Sequence, residues 1–243
     1  QWMDQKLTDL PSPPITALDD EGLGDITQGL ADGDDADDLV IRSGDSGDIS
    51  FGDLWASQNE VGMAQSLRNT MAGVNGMEWD GIDWGDPAYI ANAMKTAGFS
   101  FQFKSPIVTA KTSDGSVILD GHHRWSQAMM LQPAGQINAV GFDASTMSAD
   151  DVLQALHLGI YAVAGQAKVK PAKGGNLFNA TAADIEGYLN SSERKVDPQS
   201  FQADPNGAAP YVAAYMKVNG ISDPVAGQAA AVQYALKAVK AVR

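Results

Sequence analysis

Apolar residues recur along this chain in short groups whose spacing alternates between strand-like and helix-like. Residues 53–73 place Leu54, Trp55, Val61, Leu67 and Met71 at helix-compatible positions, with Gly62 as a weak point. Pro87 suits the first turn of a helix over residues 87–97, where Tyr89, Ile90, Ala93 and Met94 form an apolar face that Gly98 ends. A strand is predicted at residues 106–109, a hairpin turn at 113–116 around Asp114-Gly115, and a partner strand at 117–119. A helix opens after Asp120 with Trp125, Ala128 and Met129 on one face, and residues 136–142 read as a further strand. Helix, strand, turn, strand, helix and strand in this order describe a small α+β domain.

From residue 148 the pattern is helical. Ser148 with Asp151, and Thr181 with Asp184, form capping-box-like starts, and residues 209–218 and 225–242 are predicted as Ala-rich helices. Residues 168–175 form a basic, Gly/Pro-containing linker. Pro11, Pro13 and Pro14, followed by a Gly/Asp-rich stretch, make residues 1–60 an extended arm that packs on its own domain or on a partner, with a short strand at 39–41. The chain therefore divides into an acidic arm (1–60), an α+β core (61–147) and an Ala-rich helical region (148–243).

Charge sharpens this division. The arm holds 15 acidic and 2 basic side chains of a chain whose net charge is −14, so the rest is close to neutral. An acidic arm repels nucleic acid, and the last third has no dense Lys/Arg stripe, which argues against autonomous DNA binding. The Asp32-Gly-Asp-Asp-Ala-Asp-Asp38 run lacks the full calcium-loop pattern with its terminal glutamate. The chain has no cysteine, which removes disulfides, thiolate metal sites and thiol catalysis. No apolar run of about 18 residues is present, and the first residues lack the basic-then-apolar order of a secretory signal. The expected location is soluble, either cytoplasmic or within an assembled particle.

The chemistry concentrates at Asp120-Gly-His-His-Arg124, where a strand meets a helix. Unpaired N–H groups and the positive dipole end make a helix start a natural anion site. Gly121 allows close approach to the backbone, and Arg124 can grip a phosphate through a forked pair of hydrogen bonds. A plainer role is also open, in which a histidine caps the helix and Arg124 pairs with Asp120. Upstream, a turn-rich loop carries Glu78, Asp80, Asp83 and Asp86 beside two tryptophans, and one of these carboxylates can act as a general base or magnesium ligand.

With these residues in place, 87–143 resemble the ParB/sulfiredoxin-like superfamily core. The helix ending at Gly98, the Pro106-Ile-Val108 strand and the Gly121-His-His-Arg124 helix start carry the resemblance. The Asp-Gly-His-His-Arg form is similar to ParB-like serine kinases and ParB-like nuclease-type domains. The resemblance implies a pocket for a nucleotide (ATP, ADP or CTP) at Gly121, His122, His123 and Arg124, with Mg2+. Asp120 and His123 would be catalytic, and Glu78 the second carboxylate. Adjacent histidines on a helix point to different sides, so at most one meets the transferring phosphate, and His123 is the favoured one. Sulfiredoxin chemistry needs a cysteine near this glycine and is excluded. Partition proteins follow this core with a basic helix-turn-helix, of which the tail gives no sign.

Two functions follow. One is a ParB-like nucleotide-phosphate-binding protein performing Mg2+-dependent phosphoryl transfer or hydrolysis, as an NTPase, kinase or nuclease. The other is a structural or interaction protein that reuses the fold in a larger assembly such as a phage particle. The acidic arm, the Ala-rich helices and a first residue other than methionine point to the second.

Overall fold

The computed structural model describes residues 45–58, 60–71, 82, 84, 86–164, 175–190 and 209–240. The strand expected at 39–41, the Asp32–Asp38 run and most of the expected arm lie outside them.

The architecture is mixed α/β, and the sheet is mixed as well. In chain order the elements are β1 (Asp45–Ser50), β2 (Leu54–Ala56), α1 (Met63–Thr70), α2 (Pro87–Lys95), β3 (Ser100–Phe101), β4 (Ile107–Thr112), β5 (Gly115–Asp120), α3 (His122–Leu131), β6 (Gln136–Ala144), α4 (Ala149–Ala164), α5 (Ala182–Leu189), α6 (Pro210–Asn219) and α7 (Pro224–Lys240). Strand order is β1-β6-β4-β5-β2, and β3 also pairs with β6, ahead of β4. The β4–β5 hairpin is antiparallel, as Asp114-Gly115 predicts, while β6 runs parallel to β4 and β2 parallel to β5.

One expectation is corrected here. Residues 53–73 are not one helix: Leu54–Ala56 is an edge strand, and the helix starts only at Met63, after Gly62 at its N-cap. Hydrogen bonding to β5 wins over the helical spacing of Leu54 and Trp55, burying Leu54 while Trp55 stays exposed. Within the expected 1–60 arm, residues 45–50 and 54–56 are strands of the sheet. β1 reads as Asp-Ser-Gly-Asp-Ile-Ser, with a single apolar side chain, because its place is set by backbone pairing to β6 at an edge.

The sheet separates two apolar layers. On one face Leu54, Phe101, Ile107, Ile118, Ile137 and Ala139 meet the helices. On the other, Val108, Ala110, Val117 and Leu119 pack under α4 through Val152. Helix α3 is enclosed nearly all round, with His122 and every residue from Trp125 to Leu131 buried. It touches α1 and α7, and Ser66 of α1 meets Ser126 of α3 at 2.9 Å between hydroxyl oxygens.

Helices α6 and α7 share this core. Ala231, Val232, Ala235 and Val239 are buried within it, and a Cβ on Gly227 would collide with Met216, so these small residues serve close packing inside the chain. They also complete α3. Its last carbonyls have no partner within the helix; the Tyr211 hydroxyl donates to Met130 O at 2.7 Å and Tyr234 to Leu131 O at 3.0 Å. Burial raises the Tyr211 hydroxyl well above its ordinary pKa, which keeps that donor protonated. Tyr211→Phe would strand a buried carbonyl and is expected to lower stability by about 1–2 kcal/mol, measured as a shift of the urea midpoint with the slope unchanged.

Among the described residues no helix is long and apolar enough to cross a membrane.

Candidate functional site

The start of α3 is built by one irregularity in the β4–β5 ladder. Val108 pairs with Asp120 but Thr109 with Ile118, so Leu119 is an extra residue, a bulge of the kind that ends pairing and redirects side chains. Asp120 closes the strand, and Gly121 turns the backbone into the helix with φ 94°. Only glycine takes that turn without strain. Here a Cβ would also lie 2.6 Å from Ile107 Cγ2 and 3.0 Å from Ile107 Cβ. Among the described residues no side chain caps the helix: Gly121 sits at the N-cap, and its carbonyl accepts from Trp125 N–H at the head of the ladder.

Arg124 and Asp120, one turn apart, form an ion pair at 2.8 Å between Nη2 and Oδ2, their side chains 15% and 29% exposed. The plainer role expected for this pair is thus present, while the expected histidine cap is not.

The two histidines do part company. His122 is only 3% exposed, and its Nε2 accepts the Ser57 N–H at 3.2 Å, with Ser57 Oγ 3.3 Å from the same nitrogen. Ser57 follows β2, whose parallel pairing with β5 carries it to this end of the sheet. Burial first, then the neighbouring His123, push the His122 pKa down to about 3, so the ring is neutral at physiological pH. His123 is half-buried. Burial lowers its pKa, opposed by the Asp120 carboxylate and assisted by the Arg124 cation. A neutral His123 can accept a proton or a hydrogen bond. The buried atoms His122 Nδ1, His123 Nε2 and Trp125 Nε1 have no hydrogen-bond partner among the described residues.

Asp120, Gly121, His122, His123 and Arg124 are therefore brought together in one strand-to-helix turn. Glu78, Asp80 and Asp83 lie outside the described residues, and Asp86 serves α2 as its N-cap, accepting from Ala88 N–H at 2.8 Å. From the same upstream stretch Trp84 is buried, its ring 6.2 Å from that of Phe103. Among the described residues, no group of three or more His, Asp or Glu side chains is placed to hold a metal ion. Asp120 is the carboxylate next to the turn, a donor set that fits Mg2+ only with ligand oxygens completing it.

Ser57 was not legible as a participant. It lies 65 positions from His122, and nothing local in the sequence links them. Comparison with protein-family models, curated proteins and solved structures gives no match for this chain.

Proposed function

We propose that the chain binds a nucleotide or related polyphosphate at the start of α3, with Gly121, His122, His123 and Arg124 as the phosphate-facing group. The observation that carries this reading is a helix start on a left-handed glycine, uncapped by any side chain, with a guanidinium one turn on. First-turn N–H groups and Arg124 supply the donors that phosphate oxygens accept. The turn resembles the ParB/sulfiredoxin-like pattern, with Asp120 and Glu78 as the acidic residues. Mg2+ would be held by Asp120 together with phosphate oxygens, and would offset phosphate charge. Neutral His123 is the residue suited to take a proton in a phosphoryl transfer or hydrolysis.

Calorimetric titration with ATP, ADP and CTP in the presence of Mg2+ tests this. Arg124→Ala removes a charge-assisted contact worth about 1.5–3 kcal/mol, so affinity is expected to fall by roughly 10- to 100-fold. Binding unchanged in the variant would remove Arg124 from the site.

The Asp120–Arg124 ion pair favours a second reading, in which the turn only ties strand to helix and the chain serves as an interaction module of a larger assembly such as a phage particle. A folded wild-type protein that binds none of the three nucleotides supports that reading.

A further inference from the structure

We propose that Ser57 is a positioning residue for the α3 turn: its backbone N–H, delivered by the end of β2, fixes His122 as the Nδ1–H tautomer, so that His122 meets a bound phosphate as a hydrogen-bond donor. The ligand half of this rests on the phosphate reading above; the tautomer is a property of the free protein.

A backbone N–H has only a proton to offer. At 3.2 Å from His122 Nε2 it requires a lone pair there, and the Ser57 hydroxyl at 3.3 Å can then donate to the same nitrogen. A neutral imidazole carries one N–H, which is left at Nδ1. The lowered pKa of this ring agrees, since an imidazolium would set an N–H against an N–H in a buried place. The consequence is a donor without an acceptor. His122 Nδ1 is buried and has no partner among the described residues, and an unpaired buried donor costs about 1–3 kcal/mol. Persistence of such a group invites a functional explanation. His122 is the first residue of α3, where first-turn N–H groups are also without helical partners. In the proposed complex an oxygen-rich anion accepts from both kinds of donor. Trp125, three residues on, also leaves its indole N–H without a partner among the described residues.

The contact also explains why a three-residue edge strand ends where it does. β2 pairs with β5 through Ala56 opposite Ile118, which sets the next residue, Ser57, beside the turn that follows Asp120.

Imidazole nitrogen NMR on the full chain tests the proposal, with His122→Gln identifying the resonances of this ring among the three histidines. The expected pattern is a protonated, pyrrole-type Nδ1 and an unprotonated Nε2, with a through-hydrogen-bond coupling between the Ser57 amide nitrogen and Nε2. Ser57→Ala keeps the backbone donor and the tautomer. Ser57→Pro removes that donor, and is expected to mix the tautomers and weaken tripolyphosphate binding about tenfold. An Nε2-protonated ring, or absence of the coupling in wild type, overturns the positioning role whether or not phosphate binds, and needs no variant to fold. With the tautomer as expected, tripolyphosphate should move the Nδ1–H resonance. A protein that binds tripolyphosphate without that shift overturns the donor role alone. One that binds none overturns the phosphate reading and the donor role with it, leaving Ser57 as a strand-to-helix tie.

Discussion

Gly121→Ala is expected to lower the unfolding free energy by about 2–5 kcal/mol, whereas Gly98→Ala lowers it by only about 1–2 kcal/mol. Both glycines have left-handed backbones, φ 94° and 72°. Each replacement therefore carries the same conformational cost of about 1–2 kcal/mol. They differ in surroundings. A Cβ at Gly98 meets nothing within 4 Å, while one at Gly121 lies 2.6 Å from Ile107 Cγ2. Ile107 is fully buried on a central strand and β-branched, so it has little freedom to turn aside, and overpacking of this kind adds about 1–3 kcal/mol. Urea unfolding of the two variants side by side separates the terms. Equal losses would mean that the contact with Ile107 is relieved by small shifts and that the turn is less tightly fitted than its distances imply.

Acidification is expected to destabilise the protein through His122, by an amount on the order of 3–5 kcal/mol once that ring is forced to protonate. The folded pKa of about 3 lies below the value of 6.5 for the free side chain. Between these pH values the unfolded chain binds a proton that the folded chain does not, so stability rises with pH across this window. The contribution is fully present above about pH 6.5 and is lost as pH falls toward 3. Carboxylates also titrate in acid, so the comparison is with His122→Gln, which retains them. The wild type should lose stability more steeply than the variant on going from pH 7 to pH 4. Parallel curves would show that His122 is not held neutral by its burial and its bond from Ser57.

The elements that the sequence revealed are those whose signals are local. Asp114-Gly115 marks the hairpin, Pro87 opens α2 behind the Asp86 cap, and Thr181 with Asp184 forms the capping box of α5. The Asp120–Arg124 segment was readable for the same reason: strand end, glycine, helix start and charged residues fall within five consecutive positions. What stayed hidden depends on partners far along the chain. β1 and β2 are short and weakly patterned, and only their ladders to β6 and β5 make them strands. The Leu119 bulge is one extra residue in an otherwise regular alternation. The tyrosine hydroxyls that finish α3 come from 81 and 103 positions downstream of the carbonyls they meet. The Ala-rich stripe of α7 was legible as a close-packing surface, but small residues fit any neighbour, and only the fold shows that the neighbours are α3, α5 and α6.

Backbone amide NMR during titration with tripolyphosphate probes the α3 turn most directly, because it reads the N–H groups that would hold the anion. Shifts confined to residues 121–125 and Ser57, saturating with added ligand and needing roughly 10- to 100-fold more ligand in Arg124→Ala, are the result expected of a phosphate site at this turn. A saturating response centred on other residues, or none from a folded protein, would contradict it and leave the turn a structural joint between β5 and α3.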